Sequence, residues 1–162
     1  NSVQGESNAL AFDRANVRRQ VLDNMAGPAI GRFEDAYRKS DHEGMVAARD
    51  NSLSLMDSLT VVLRSRPEFS MDRWVGDARS WGVTEEQKDY YETNARTLIT
   101  VWGSNLLDYA ARDFDGLVEE YYKPRWQMFF DEMIDACDEG REPKDLDDRY
   151  RDHEWSYAGL RR

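Results

Sequence analysis

The chain has 162 residues, a formal net charge of −10, and 40% hydrophobic and 12% aromatic residues. This length suits one ordinary domain, which buries roughly 70% of its unfolded surface, and the apolar content is too high for a disordered chain. The acidity argues against a nucleic-acid or anionic-membrane partner, because neutralising phosphate groups requires clustered Lys and Arg.

A loose polar segment is predicted over residues 1–10, followed by two helices. Asp13 is suited to cap the first helix, and the Gly27-Pro28 pair is expected to end it. The second helix starts with Pro28 at its first position, where proline is favoured, and runs to about Ser40. The apolar residues of the first helix are Val17, Val21 and Met25.

A long third helix is predicted between the cap at Ser40-Asp41 and Pro67. It ends before Pro67 because the residue that precedes a proline is pushed out of the α region. Its apolar residues recur at the spacing of one helical face, and we predict that this face belongs to the core. They are Leu55, Met56, Leu59, Val62 and Leu63.

Two shorter helices follow, each with its own start signal. Ser70 is suited to cap one that Gly82 closes, and Thr84 with Gln87 forms a capping box for another that runs to Gly103. The predicted inner face of this second helix consists of Tyr91, Ala95, Leu98 and Trp102.

The C-terminal part is predicted to hold a helix with a kink near Pro124, and then a tail helix over about 144–158. No stretch alternates with a period of two for long enough to indicate a strand. The predicted fold class is therefore all-α: a single domain over residues 11–162, built as a bundle of about six or seven mostly antiparallel helices.

The sequence does not indicate a catalytic site made of this chain's own residues. His42 and His153 stand outside any HExxH or ExxH pairing, so neither a zinc nor a di-iron site is supported. The chain has no glycine-rich phosphate loop and no GxSxG motif, and the single Cys137 has no partner for an internal disulfide. No apolar run approaches the ~20 residues of a membrane span. We therefore predict no catalytic residue, cofactor, metal or membrane contact in this chain.

Several short motifs, in order, resemble the C-terminal helical domain of the α-N-acetylglucosaminidases, glycoside hydrolase family 89. The resemblance covers about residues 11–137. The motifs are "RW" at Arg73-Trp74, "DA" at Asp77-Ala78, "NAR" at Asn94 to Arg96, "IT.WG" at Ile99 to Gly103, "LLDYA" at Leu106 to Ala110, "GL" at Gly116-Leu117 and "YY.PRW" at Tyr121 to Trp126.

The resemblance implies that the chain is one of several domains of a longer polypeptide, each with its own role. In this family a (β/α)8 barrel carries the two catalytic carboxylates of a retaining mechanism, and the helical domain packs on the barrel. The chain is then an accessory domain that is inactive alone, with the barrel and a terminal α-linked N-acetylglucosamine as its partners. A secreted, periplasmic or lysosomal location is also implied.

The same resemblance implies that Trp102, Leu106 and Tyr109 help to enclose the sugar. An aromatic ring can cover the apolar side of a sugar, and a Tyr hydroxyl can bond a sugar hydroxyl. Periodicity alone favours a core position for Trp102, in phase with Tyr91, Ala95 and Leu98. A second hypothesis for the function of the whole chain also stays open: an autonomous helical interaction or ligand-binding module with no catalytic parent.

Overall fold

The structure, a computed structural model, describes residues 7–102 and 110–160, and in these ranges it consists of helices and turns without strands. The predicted all-α fold is therefore confirmed. A 3₁₀ turn covers Pro67–Phe69 and a π-helical turn covers Val118–Tyr122. The α-helices are α1 (Asn8–Arg38), α2 (His42–Arg64), α3 (Met71–Arg79), α4 (Glu85–Leu98), α5 (Asp115–Leu117), α6 (Lys123–Glu139) and α7 (Asp147–Tyr157).

Helix α1 is continuous through Pro28, so the prediction of two helices here was wrong. It is capped by Ser7, whose side chain accepts a hydrogen bond from the Leu10 N–H at 3.2 Å. The cap is therefore Ser7 and not Asp13. Pro28 lacks an N–H and costs about 3 kcal/mol inside a helix. Ala29 and Phe33, one and five residues further along, are buried, and Phe33 belongs to the core shared with α2 and α6. Burial of this part of the helix offsets the cost.

The first core lies between α1, α2 and α6. A three-residue turn joins α1 to α2, and Asp41 caps α2 by accepting a hydrogen bond from Gly44 N at 3.0 Å. Of the predicted inner face of α2, only Leu63 is fully buried; Leu55, Met56 and Leu59 line a partly open pocket of about 160 Å³. The buried residues of this core are Phe33, Ala36, Met45, Ala48, Leu53, Phe130 and Ile134.

A second core joins α3 and α4 to the α5 region. The Asp115 carboxylate accepts a hydrogen bond from Met71 N at 2.8 Å and so fixes the start of α3 against α5. Gly116 permits this approach, because a Cβ atom there would lie 2.8 Å from the Met71 Cβ. The buried residues of this core are Met71, Val75, Ile99, Leu117 and Tyr121.

The interruption predicted near Pro124 is present as the π-helical turn Val118–Tyr122, directly before α6. Pro124 offers no N–H to the carbonyl four residues earlier, and the wider π turn accommodates that loss. Helix α6 ends at Gly140, whose φ of +61° is the left-handed cap that favours glycine. The predicted tail helix is α7.

A buried polar network fastens α7 to the helix before it. The Tyr121 hydroxyl donates to the Glu154 carboxylate at 2.8 Å and accepts a hydrogen bond from Arg125 at 2.6 Å. The Arg125 guanidinium also lies 4.8 Å from the centre of the Tyr150 ring. Trp126 stacks on Phe130 in the first core. The motif "YY.PRW" therefore serves packing between helices.

Candidate functional site

An open cleft of about 850 Å³ lies beside the C-terminal end of α4. Aromatic rings from distant parts of the chain form its walls, and a few charged groups stand among them. This combination suits a sugar, which presents apolar C–H faces together with hydroxyl groups. The residues that line this aromatic cleft are Arg19, Glu68, Phe69, Trp74, Leu98, Ile99, Trp102, Ala111, Arg112, Asp113 and Phe114.

Trp102 stands at this cleft in an unusual backbone conformation. Helix α4 ends at Leu98, and the next turn is anchored by the buried residues Thr100 and Val101. Trp102 N donates to Thr97 O at 2.8 Å, and its φ is +52°. A bulky side chain in the left-handed region carries strain, and such strain concentrates at functional sites. The side chain is 50% exposed, so it does not belong to the core.

The predicted inner face of α4 was wrong except for Ala95. Ala95 is buried, while Tyr91, Leu98 and Trp102 are exposed. The predicted pattern continued the helical phase past Leu98, where α4 ends, and within α4 only Ala95 is buried. Exposed apolar side chains on α3, on α4 and in the turns that follow these helices therefore form one surface, because Trp74 and Leu98 line both of the grooves found there. This aromatic face consists of Trp74, Trp81, Tyr91, Leu98 and Trp102.

Trp74 connects the aromatic face to the cleft. Its indole N–H donates to the Ala95 carbonyl at 3.0 Å, and its ring stacks on Phe114 at 5.8 Å between centroids. A second groove, of about 480 Å³, continues from Trp74 and Leu98 toward Trp81. Trp81 is 79% exposed there, although a tryptophan buries a large apolar area when it is covered.

An arginine from α1 holds the opposite wall of the cleft. Arg19 donates to Asn16 at 3.1 and 3.2 Å and to Asp23 at 3.2 Å, and it makes a closer ion pair with Asp113. The segment that includes Asp113 and Phe114 is thereby fastened to α1. Burial raises the pKa of the Asp23 carboxyl, the neighbouring Asp113 raises it further, and Arg19 opposes both effects.

Replacing Asp23 with asparagine is expected to raise the melting temperature at pH 7 by about 1–2 °C. The folded-state pKa of Asp23 lies above its unfolded value, so its stabilising contribution is present below the unfolded pKa and is lost as pH rises through the folded pKa. The neutral amide avoids that loss. Calorimetry at pH 7 and at acid pH should show the difference shrinking in acid. A lower melting temperature for the variant at pH 7 would mean that attraction to Arg19 outweighs burial.

The structure describes one of the three predicted site residues. Trp102 lies at the aromatic cleft, while Leu106 and Tyr109 lie outside the described residues and stay predictions. Sequence reasoning did not identify Phe69, Arg19 or Asp113, because they come from separate elements and carry no shared motif.

Residues 7–102 and 110–160 contain neither a cluster suited to a metal ion nor a helix suited to span a membrane. No group of three or more His, Cys, Asp or Glu is arranged there to hold a metal ion. No helix in these ranges is both long and apolar enough to cross a membrane. His42 is exposed and pairs with Asp138 at 2.9 Å, and His153 stacks on Tyr121.

Comparison with known proteins gives concordant results for sequence and structure. Residues 1–161 match the family described as alpha-N-acetylglucosaminidase (NAGLU) C-terminal domain. The human alpha-N-acetylglucosaminidase is 31% identical over 137 residues, which cover 83% of this chain and 18% of the human protein. The chain therefore spans less than a fifth of the length of that relative.

Two solved structures from Clostridium perfringens share the fold. A family 89 glycoside hydrolase in complex with 2-acetamido-1,2-dideoxynojirmycin superposes with a TM-score of 0.84 at 31% identity, over 92% of this chain and 18% of that one. CpGH89 with two Glu→Gln substitutions, in complex with its substrate GlcNAc-alpha-1,4-galactose, gives a TM-score of 0.87 at 30% identity, over 94% of this chain and 18% of that one.

Proposed function

Because the chain belongs to the family of α-N-acetylglucosaminidase C-terminal domains, we propose that it closes the sugar pocket of an exo-acting, retaining α-N-acetylglucosaminidase. The observation that carries this proposal is the half-exposed Trp102, held in a left-handed conformation at the mouth of an aromatic cleft. The catalytic carboxylates belong to a (β/α)8 barrel of the same polypeptide. The chain alone is then inactive.

In this proposal the chain binds one side of a terminal N-acetylglucosamine. The Trp102 indole covers the apolar side of the sugar ring, and Leu106 adds an apolar contact. The Tyr109 hydroxyl bonds a sugar hydroxyl. Closure by a second domain also excludes water, which strengthens the electrostatic interactions that stabilise the transition state on the barrel side.

The aromatic face is the surface that packs on the barrel. Monomeric proteins rarely leave a large continuous apolar surface in water, and such surfaces mark interaction sites. Trp81 and Trp102 are 79% and 50% exposed, and the groove between Trp74 and Trp81 offers a place for an apolar side chain of the partner domain. Because Trp102 belongs to both the aromatic face and the aromatic cleft, packing on the barrel brings the cleft to the active site.

The test is the kcat/KM of the longer polypeptide on a chromogenic α-N-acetylglucosaminide, measured for the wild type and for Tyr109→Phe. Loss of the hydroxyl is expected to lower kcat/KM about tenfold, which is roughly 1.4 kcal/mol of transition-state stabilisation. The melting temperature is expected to stay unchanged. Residues 1–162 alone should release no chromophore.

Three results would contradict the proposal. An inactive wild-type polypeptide would favour the autonomous binding module, and a Tyr109→Phe variant with wild-type kcat/KM would leave that residue without a role in the pocket. Activity from residues 1–162 alone would mean that the catalytic groups lie within the chain.

A further inference from the structure

Helix α1 carries a second apolar surface, on the side turned away from α2 and α6. Val17, Val21 and Met25 recur every four residues and are 63%, 52% and 47% exposed. Leu10, one heptad before Val17, is also exposed. These four residues form the outer stripe of α1, which extends over roughly 22 Å at 1.5 Å per residue. It shares no residue with the aromatic face, which lies on α3, α4 and the turns that follow them.

The neighbouring helix α2 shows what a solvent-facing side looks like in this protein. Its exposed residues are mostly polar, and Val61 is an isolated apolar exception at 67% exposure. The exposed polar residues of α2 include Asp50, Asn51, Ser54, Asp57 and Ser58. Most exposed residues of α1 are polar too, but its four large exposed apolar residues lie together as one stripe instead of singly. An exposed apolar stripe of this kind is typical of a surface that a partner covers.

Two arginines accompany the outer stripe. Arg18, Met25 and Arg32 follow one another at intervals of seven residues, so both arginines lie on the side of α1 that carries Met25. Both are exposed, and neither makes an ion pair or hydrogen bond with any residue that the structure describes. By contrast, Arg19 and Arg38 on the same helix both pair with carboxylates. The stripe therefore has a basic edge in a chain of net charge −10.

We propose that an amphipathic helix from another part of the same polypeptide covers the outer stripe of α1, with an acidic row that pairs with Arg18 and Arg32. This inference rests on the proposed function only in placing the chain within a longer polypeptide. The matched relatives are long enough to supply such a helix, since the chain spans 18% of their length.

A second copy of this chain fits the outer stripe less well. Paired α1 helices would bring together the same two arginines without adding an acidic row beside them. Two copies, each with a net charge of −10, would also repel one another. A segment of the same polypeptide avoids both costs, and its high effective concentration favours docking.

The test uses the longer polypeptide with a cysteine in place of Val21, and the matched control places one at Val61 of α2. Labelling by a maleimide is followed by mass spectrometry, with the parent protein measured to account for Cys137. The thiol at position 21 is expected to react at least about tenfold more slowly than the thiol at position 61, because labelling requires local opening of the covered face. Equal rates at the two positions would overturn the inference.

Dilution distinguishes a helix of the same polypeptide from a second copy of the chain as the occupant of the stripe. A helix of the same polypeptide protects position 21 equally over a hundredfold range of protein concentration, since the contact is intramolecular. Protection that disappears on dilution would mean that a second copy covers the stripe, and the inference would be wrong. A photoreactive maleimide attached at position 21 should crosslink to a peptide outside residues 1–162; a crosslink within this range would contradict the proposed occupant.

The acidic row is tested by charge reversal in the Val21→Cys protein. Replacing both Arg18 and Arg32 with glutamate is expected to speed labelling about tenfold, because like charges then face each other. The corresponding lysine variant should keep the slow rate. Arg38→Glu is the control, because Arg38 pairs with Glu34 on α1 itself. An unchanged rate after the double reversal would exclude an acidic partner.

These measurements test the covered stripe separately from the proposed function. Rapid labelling at position 21 in a polypeptide that hydrolyses α-N-acetylglucosaminides would overturn the covered stripe alone. Slow labelling in a polypeptide without that activity would overturn the enzymatic proposal alone.

Discussion

Replacing Trp102 with alanine in the longer polypeptide is expected to lower kcat/KM on an α-N-acetylglucosaminide about 100-fold, or roughly 2.7 kcal/mol. In the proposed pocket the indole supplies a large apolar contact to the sugar, and alanine would supply almost none. The melting temperature is expected to change by no more than about 2 °C, because the side chain is half exposed and its backbone conformation is strained.

A glycine variant at the same position separates a binding role from a packing role. Glycine adopts positive φ without steric cost. The free energy of unfolding of Trp102→Gly should therefore be about 1 kcal/mol higher than that of Trp102→Ala, and its melting temperature correspondingly higher. Both variants should lose activity to the same extent. If Trp102 served packing alone, both variants would melt far below the wild type and activity would fall only with the folded fraction.

Trp155→Ala is the matched control for this prediction. Trp155 is a partly exposed tryptophan on α7, where the Arg151 guanidinium lies 5.9 Å from its ring centre, and it does not line the aromatic cleft. Its removal should leave kcat/KM at the wild-type value. A similar loss of activity in both variants would indicate a general effect of removing tryptophan and would contradict a specific role for Trp102.

Local signals predicted the ends of several helices well. Asp41 and Ser70 cap α2 and α3 with side-chain hydrogen bonds, and Thr84 with Gln87 forms the expected capping box of α4. These signals act over three or four residues and are written directly in the sequence. The Gly27-Pro28 pair was misleading, because the packing of Ala29 and Phe33 overrides the local preference of a proline to end the helix.

The site was harder to predict than the fold. The spacing of apolar residues predicted a core position for Trp102 because it assumed that α4 continues beyond Leu98. The helix ends there, and the spacing of apolar residues does not show where a helix ends or which of them are buried. Only the family resemblance drew attention to Trp102 as a pocket residue. The cleft also includes Arg19 and Asp113, which lie 94 positions apart, so their pairing depends on tertiary structure that no short motif encodes.

Replacing Tyr121 with phenylalanine is expected to lower the free energy of unfolding by about 2–4 kcal/mol. The hydroxyl lies between the Arg125 guanidinium, at 2.6 Å, and the Glu154 carboxylate, at 2.8 Å. Glu154 is 2% exposed, so water cannot replace the lost hydrogen bond without opening α7. Denaturant unfolding followed by circular dichroism measures this loss, which should come with an unchanged slope on denaturant.

Tyr122→Phe is the neighbouring control, because the Tyr122 hydroxyl donates to the Arg112 carbonyl at 3.2 Å in an exposed position. It should cost less than about 1 kcal/mol. A double-mutant cycle then tests the buried pair: Glu154→Gln and Tyr121→Phe together should cost less than the sum of the single changes by about 1–2 kcal/mol. Additive costs would show that the two side chains stabilise the fold separately, and that the attachment of α7 depends on apolar packing around Tyr121 and not on the buried hydrogen bond.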